Sequence, residues 1–151
     1  SVDPPHPPAC AEALLAIAEA DAIVLGPGSW FTSVITHLVI PEIAEAIAAS
    51  DALRVVVLNL NPQVGETSGF AAHTYLEVLR DYVPQVDVVI ADRRHVDDLE
   101  LLEAHARNLG AHVVLADVAG TGRRGAGQHD PQRLAVAFDS LMTAPRSNGA
   151  P

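Results

Sequence analysis

Cysteine, aromatic and basic residues are all scarce in this chain of 151 residues. The single cysteine, Cys10, excludes a disulfide within the chain and favours a reducing compartment. Nine arginines, with no lysine, stand against 19 acidic residues, which gives a net charge of -10. That balance argues against a nucleic-acid partner, which would require a basic surface. Because no apolar run is long enough for a membrane helix and no signal sequence is visible, we expect a cytoplasmic protein without membrane insertion.

The two ends of the chain differ in composition from its middle. Prolines crowd residues 1–10, which predicts an extended lead or linker. Residues 11–143 have the length and apolar content of one α/β domain. Residues 144–151 are predicted to be disordered. Because Met142 is the only methionine, we expect Ser1 to lie within a longer protein.

The middle of the chain alternates between two kinds of segment. Continuous apolar runs, which are typical of strands buried on both faces of a parallel sheet, occupy residues 22–26, 54–60, 86–91 and 112–116. Apolar residues recur at helical spacing in residues 11–20, 32–39, 41–49, 71–82, 96–109 and 130–142. The alternation predicts part of a Rossmann-like, doubly wound parallel sheet. Ligands of such sheets bind beyond the carboxyl ends of the strands.

The first predicted strand leads directly into a glycine turn and a helix. Gly26 and Gly28 allow a sharp turn and a close approach to a ligand, since glycine has no Cβ and tolerates positive φ. Ser29, Thr32 and Ser33 then place hydroxyls and free N–H groups at the start of a helix, where anions are stabilised. This pattern favours binding of a phosphate or a nucleotide.

The second predicted strand ends in a loop that is rich in hydrogen-bonding side chains. Its candidate ligand-binding residues are Asn59, Asn61, Gly65, Glu66 and Thr67. We expect the Glu66 carboxylate to face sugar hydroxyls or a base, because a carboxylate repels phosphates. The alternative is an Asx-rich turn that only caps the next helix. Composition does not choose between the two interpretations.

Three further features each have two interpretations. Arg93 follows the third strand and either contacts a ligand or is a solvated loop charge. Trp30 either stacks on a base or packs the glycine turn against a helix. Residues 120–125 match G-x-G-x-x-G but follow the last strand and do not open a helix, so a flexible loop is the better interpretation. Arg123 and Arg124 in that loop could still reach a phosphate.

Two motifs together resemble a known family. The chain has Gly-Pro-Gly-Ser followed by Thr-Ser, then a strand ending in Asn-Leu and a Gln-x-Gly-Glu-Thr-x-Gly-Phe loop. This combination is similar to the gluconeogenesis factor family, the YvcK-type branch of the CofD-like proteins. The resemblance is clearest over residues 11–92. It implies the C-terminal half of a cytoplasmic protein that binds UDP-sugars such as UDP-N-acetylglucosamine and supports cell shape and cell-wall synthesis during gluconeogenic growth.

Three functions remain open at this point. The first is a regulatory protein that binds a nucleotide sugar without turnover. The second is a phosphotransferase resembling the 2-phospho-L-lactate transferase branch of CofD-like proteins, with a divalent metal ion bridging the phosphates. The third is a partner-binding half that packs against the N-terminal half of the same protein. The residues themselves assign no cofactor or metal, and they leave open whether the protein forms a homo-oligomer.

Overall fold

The computed structural model describes residues 7–121 and 127–143. The sequence-based interpretations of residues 1–6, of the tail at residues 144–151, and of Arg123 and Arg124 concern parts of the chain outside these described residues.

The described residues form alternating helices and strands. The helices are α1 (Ala11–Ala18), α2 (Ile35–Leu38), α3 (Pro41–Ala49), α4 (Ala72–Arg80), α5 (Leu99–Asn108) and α6 (Pro131–Thr143). The strands are β1 (Ala22–Leu25), β2 (Leu53–Val57), β3 (Val88–Asp92) and β4 (His112–Ala116). A π-helical turn, Trp30–Val34, leads directly into α2. The predicted α/β alternation is confirmed.

The strands form one parallel sheet in the order β1-β2-β3-β4. Helices α1 to α5 pack against one face, where strand residues such as Val56 and Val89 are fully buried. Helix α6 packs against the other face, over Val55 and Ile90. Helices on both faces explain why these strands are continuously apolar in sequence. On the α6 face, Val24 of the edge strand β1 remains 44% exposed.

Several element boundaries differ from the prediction, and two of these differences lie beside the glycine turn. Strand β2 ends at Val57 and not at Leu60, because the Asn59 side chain bonds to Gly28 of the neighbouring turn. The helix after the turn begins at Trp30 and not at Thr32. Its first turn is wide because the Ser29 carbonyl accepts hydrogen bonds from the N–H groups of both Ser33 and Val34. The loop of β2 and this helix start therefore depend on each other.

In the described part of the chain, no single helix has the length and apolar character needed to cross a membrane. Trp30–Leu38 and Pro41–Ala49 reach that length and composition only when taken together, and the two segments are bent by 77° relative to one another.

Candidate functional site

A cleft of about 320 Å³ lies at the carboxyl edge of the sheet, beyond β1 and β2. This is the edge at which parallel α/β sheets bind ligands. The described residues that line the cleft are Pro27, Gly28, Asn59, Leu60, Asn61, Gln63, Gly127, Gln128 and His129. The glycine turn and the loop after β2, which the sequence singled out separately, thus form adjacent walls of one cleft.

The Asn59 side chain holds these two walls together. Its Nδ2 donates to the Gly28 carbonyl at 2.7 Å, and its Oδ1 accepts from the Gly28 N–H at 3.0 Å. The side-chain amide therefore pairs with the backbone of the turn as a neighbouring strand would. Asn59 was predicted to bind a ligand, but its described contacts make it a residue that fixes the turn.

Gly26 and Gly28 both have positive φ, at +83° and +147°. A Cβ on Gly26 would lie 2.7 Å from the Val57 carbonyl oxygen, so only glycine lets β1 approach the end of β2 this closely. A Cβ on Gly28 would meet nothing closer than 3.9 Å, at Ser33. The close approach that the sequence predicted for the turn is thus made to the protein's own backbone, at Gly26.

The Glu66 carboxylate lies at the start of the helix that follows the glycine turn. Its Oε2 accepts from the Trp30 N–H at 3.1 Å, and its Oε1 accepts from the Thr32 N–H at 3.3 Å and from the Ser29 hydroxyl. The Ser29 hydroxyl also pairs with that of Thr32. The predicted anion position therefore exists, but a carboxylate of the same chain occupies it. Both Glu66 carboxylate oxygens therefore face the helix start in this structure, whereas the sequence predicted that they face sugar hydroxyls or a base.

The environment of Glu66 stabilises its ionised form. The Ser29 hydrogen bond lowers the pKa of Glu66, partial burial opposes this effect, and the backbone N–H groups of Trp30 and Thr32 lower the pKa further. The partial positive charge at the helix start also lowers the pKa of Glu66. A phosphate would have to displace Glu66 to reach these donors.

Several other predicted site residues lie away from the cleft. Thr67 is fully buried, and its hydroxyl accepts from the Gln63 N–H at 2.7 Å and bonds to the Tyr75 hydroxyl at 3.1 Å. Trp30 is also fully buried and packs edge-to-face on Tyr75, with ring centroids 5.0 Å apart. The sequence predicted that Thr67 binds a ligand. In the structure its side chain is packed in the interior and its hydroxyl bonds within the protein, so Thr67 has a structural role. For Trp30 the packing interpretation holds.

The remaining predicted residues are exposed. Arg93 donates from its guanidinium to the Leu115 carbonyl at 3.4 Å and does not line the cleft. Ser33 lies on the exposed side of the helix start, and Gly65 bonds through its N–H to the Ser68 hydroxyl at 3.2 Å. Asn61 is the one predicted side chain that lines the cleft without a described hydrogen bond of its own.

Two residues of the cleft wall, Gln63 and His129, were missing from the predicted site. Gln63 Oε1 and His129 Nε2 are buried and have no hydrogen-bond partner among the described residues. Burial lowers the pKa of His129 and so favours the neutral ring, while the Leu58 carbonyl and the charge of Asp92 oppose that shift. The sequence signal for Gln63 was its place in the second motif. His129 had none, since it comes from the segment before α6.

A buried carboxylate at the end of β3 was also missed. Asp92 accepts from His95 Nδ1 at 2.8 Å, from the Ala119 N–H at 2.7 Å and from the Arg94 N–H at 3.0 Å. Burial alone would raise the pKa of Asp92, but these hydrogen bonds together hold it well below its usual range. Asp92 therefore fixes Ala119, shortly after the end of β4. At this strand end the sequence pattern indicated only arginines as candidate ligand contacts.

Known proteins resemble this chain over most of its length. The family model described as 2-phospho-L-lactate transferase CofD matches residues 1–128. A Mycobacterium tuberculosis protein that carries the name "Putative gluconeogenesis factor" is 44% identical over 143 residues, which cover 91% of this chain and 41% of that protein. The Mycobacterium leprae relative of the same name is 41% identical over 153 residues, covering 98% of this chain and 42% of that protein.

A solved structure of a UPF0052 family member from Bacillus halodurans has a TM-score of 0.77 and 28% sequence identity to this chain. The match covers 90% of this chain and 48% of that one. This chain thus spans less than half the length of the relatives it matches. With the family model covering most of the chain and the fold shared with a solved relative, the chain belongs to the CofD family, in which its similar relatives carry the name gluconeogenesis factor.

Proposed function

We propose that this chain contributes to a nucleotide-sugar-binding regulatory protein, with a UDP-sugar such as UDP-N-acetylglucosamine as its ligand. The observation that carries the proposal is the cleft beyond β1 and β2. Its described walls offer amide and imidazole groups but no carboxylate, lysine or arginine. Neutral hydrogen-bonding groups of this kind suit the hydroxyls of a sugar and the edge of a base. In this proposal the bound state, read by a partner in the cytoplasm, supports cell shape and cell-wall synthesis during gluconeogenic growth.

A second candidate is a transferase of phosphorus-containing groups, which the CofD description of the family favours. Such chemistry commonly uses Mg²⁺, which prefers oxygen ligands, carboxylates among them. Two carboxylates at the carboxyl edge of the sheet are already engaged, Glu66 with the helix start and Asp92 with His95 and Ala119. The described side chains alone do not fit a metal-bridged phosphoryl site, so binding without turnover remains the first proposal.

Calorimetric titration distinguishes these two functions. We expect UDP-N-acetylglucosamine to bind with measurable heat, and to be recovered unchanged after prolonged incubation with the protein and Mg²⁺. GDP-mannose is the matched control, because it differs in both the base and the sugar but carries the same diphosphate. Release of a phosphorylated product would favour the transferase. Equal affinity for both nucleotide sugars would contradict a UDP-sugar site.

We also propose that another part of a longer protein packs on the edge strand β1. Parallel strand pairing is described on only one side of β1, and Val24 on the α6 face is 44% exposed. Unpaired edges with exposed apolar side chains are the surfaces through which sheets extend. The greater length of the relatives provides a candidate occupant, since more than half of each lies outside the match.

The chain of residues 1–151 by itself is therefore expected to self-associate through β1. Sedimentation velocity should show a concentration-dependent shift toward dimers, and Val24→Thr should weaken it, because threonine keeps the shape of valine but makes the exposed face less apolar. Val136→Thr is the matched control, since Val136 is 65% exposed on α6, away from the edge. A monomer at all concentrations would contradict the proposal.

A further inference from the structure

The wall of the cleft contains two unpaired polar atoms. Gln63 Oε1 and His129 Nε2 belong to side chains that line the cleft, and neither has a hydrogen-bond partner among the described residues. An unpaired buried polar atom is costly, and native proteins contain few of them. Two such atoms in the lining of one cleft indicate that hydrogen bonds are completed there by a group outside the described chain.

The chemistry of these atoms restricts that group. Gln63 Oε1 can only accept a hydrogen bond, whereas Nε2 of a neutral histidine donates or accepts according to its tautomer. An ionised phosphate offers acceptors alone and leaves Gln63 Oε1 unsatisfied. Sugar hydroxyls and the imide edge of uracil offer both donors and acceptors. The described lining also contains no fixed positive charge that would attract a phosphate.

The helix start beside the cleft leads to the same conclusion. The N–H groups of Trp30 and Thr32, which are the usual kind of donor for a phosphate, already bind the Glu66 carboxylate. A ligand that enters the cleft therefore lies beside the unpaired acceptor of Gln63, while the neighbouring helix start already holds a carboxylate. Both features disfavour a diphosphate at this position.

Resting on the proposed nucleotide-sugar binding, we propose that the cleft holds an uncharged ring of the ligand that carries hydrogen-bond donors. Gln63 and His129 select this ring by hydrogen bonding to it, and the diphosphate lies outside the cleft. The ring is either the sugar or the uridine, since both present donors on an uncharged scaffold. A rotation of the Gln63 amide about its last torsion, which is a soft one, turns Oε1 toward the ligand.

Gln63→Met tests this proposal without disturbing the loop. The backbone of Gln63 forms the turn, since its N–H donates to Thr67 and its carbonyl accepts from Glu66 and Thr67. The side chain makes no hydrogen bond within the described residues, so methionine removes the acceptor at nearly constant volume. We expect an unchanged or higher melting temperature and about a tenfold loss of affinity for UDP-N-acetylglucosamine, the loss typical of one missing hydrogen bond.

Two fragments of the ligand identify the ring. We titrate the unaltered protein and Gln63→Met with N-acetylglucosamine 1-phosphate and with UMP. Gln63→Met should bind only one of these two fragments more weakly, and that fragment is the one that enters the cleft.

The His129 variants test the second side chain. His129→Gln, which keeps a donor and an acceptor, should bind the nucleotide sugar more tightly than His129→Phe. Gln85→Met is the matched control, because Gln85 is exposed and lies before β3, at the opposite edge of the sheet.

The outcomes separate this inference from the function on which it rests. If the unaltered protein binds the nucleotide sugar but Gln63→Met binds it as tightly as Gln85→Met does, the cleft assignment is wrong and the function stands. If the unaltered protein binds no nucleotide sugar, the proposed function fails and this inference fails with it.

Discussion

Replacing Asp92 with alanine is expected to lower the free energy of unfolding by about 3–5 kcal/mol, the range for removing one partner of a buried charged network. The side chain is fully buried, and its loss leaves the Ala119 N–H without an acceptor in a position that water does not reach. Asp92→Asn should cost less, because its amide oxygen still accepts one hydrogen bond. Chemical denaturation at pH 7 measures the free energy of unfolding of the unaltered protein, Asp92→Ala and Asp92→Asn.

Asp97→Ala is the matched control for this substitution. Asp97 lies in the same loop but is exposed, so its removal should change the free energy of unfolding by less than about 0.5 kcal/mol. Similar losses for Asp97→Ala and Asp92→Ala would show that the loop, and not the buried carboxylate, sets stability here.

The stability contribution of Asp92 also depends on pH. Because the pKa of Asp92 is lowered on folding, the unfolded chain binds more protons than the folded one as the pH falls below the ordinary value of 3.8. The contribution is therefore complete above that value and is lost on acidification. The stability of the unaltered protein should fall more steeply below pH 4 than that of Asp92→Asn, and parallel curves would contradict the assignment.

Gly26→Ala is expected to be the most damaging change in the glycine turn and to lower the free energy of unfolding by about 2–4 kcal/mol. One part of this loss is the strain of a side chain at φ +83°, which costs roughly 1–2 kcal/mol. The other part is the contact of the new Cβ, 2.7 Å from the Val57 carbonyl oxygen, with backbone that cannot move without disturbing β2.

Gly69→Ala separates these two parts. Gly69 has almost the same φ, +85°, but a Cβ there would meet nothing within 4 Å. In thermal or chemical denaturation, Gly69→Ala should therefore lower the free energy of unfolding only by the cost of the backbone strain, about 1–2 kcal/mol. If the two alanine variants lose the same stability, the close approach of β1 to β2 is not what requires glycine at position 26.

At the candidate site, the glycine turn and the loop after β2 include features that the sequence predicted and features that it did not. Glycines and hydroxyls after an apolar strand correctly predicted a turn and a helix start at the carboxyl edge, and the anion bound at that helix start is a carboxylate of the same chain. The identity of the anion was not predictable, because Glu66 lies 36 residues from Trp30 and only the packing of the two loops brings them together. The sequence predicted that Asn59 binds a ligand, because its actual partner, Gly28, lies in a different segment of the chain and their contact is not visible in the sequence.

The sequence by itself determined the parallel α/β class, the approximate extents of the strands and most helices, and the family. These features depend on local periodicity, on continuous apolar runs, and on motifs that are contiguous in the chain. The tertiary structure alone decided the strand order, the occupation of the helix start by Glu66, the buried network of Asp92, and the presence of Gln63 and His129 in the lining of one cleft. Each of these depends on contacts between residues distant in sequence, whose energies depend on burial and direction, and residue type alone specifies neither.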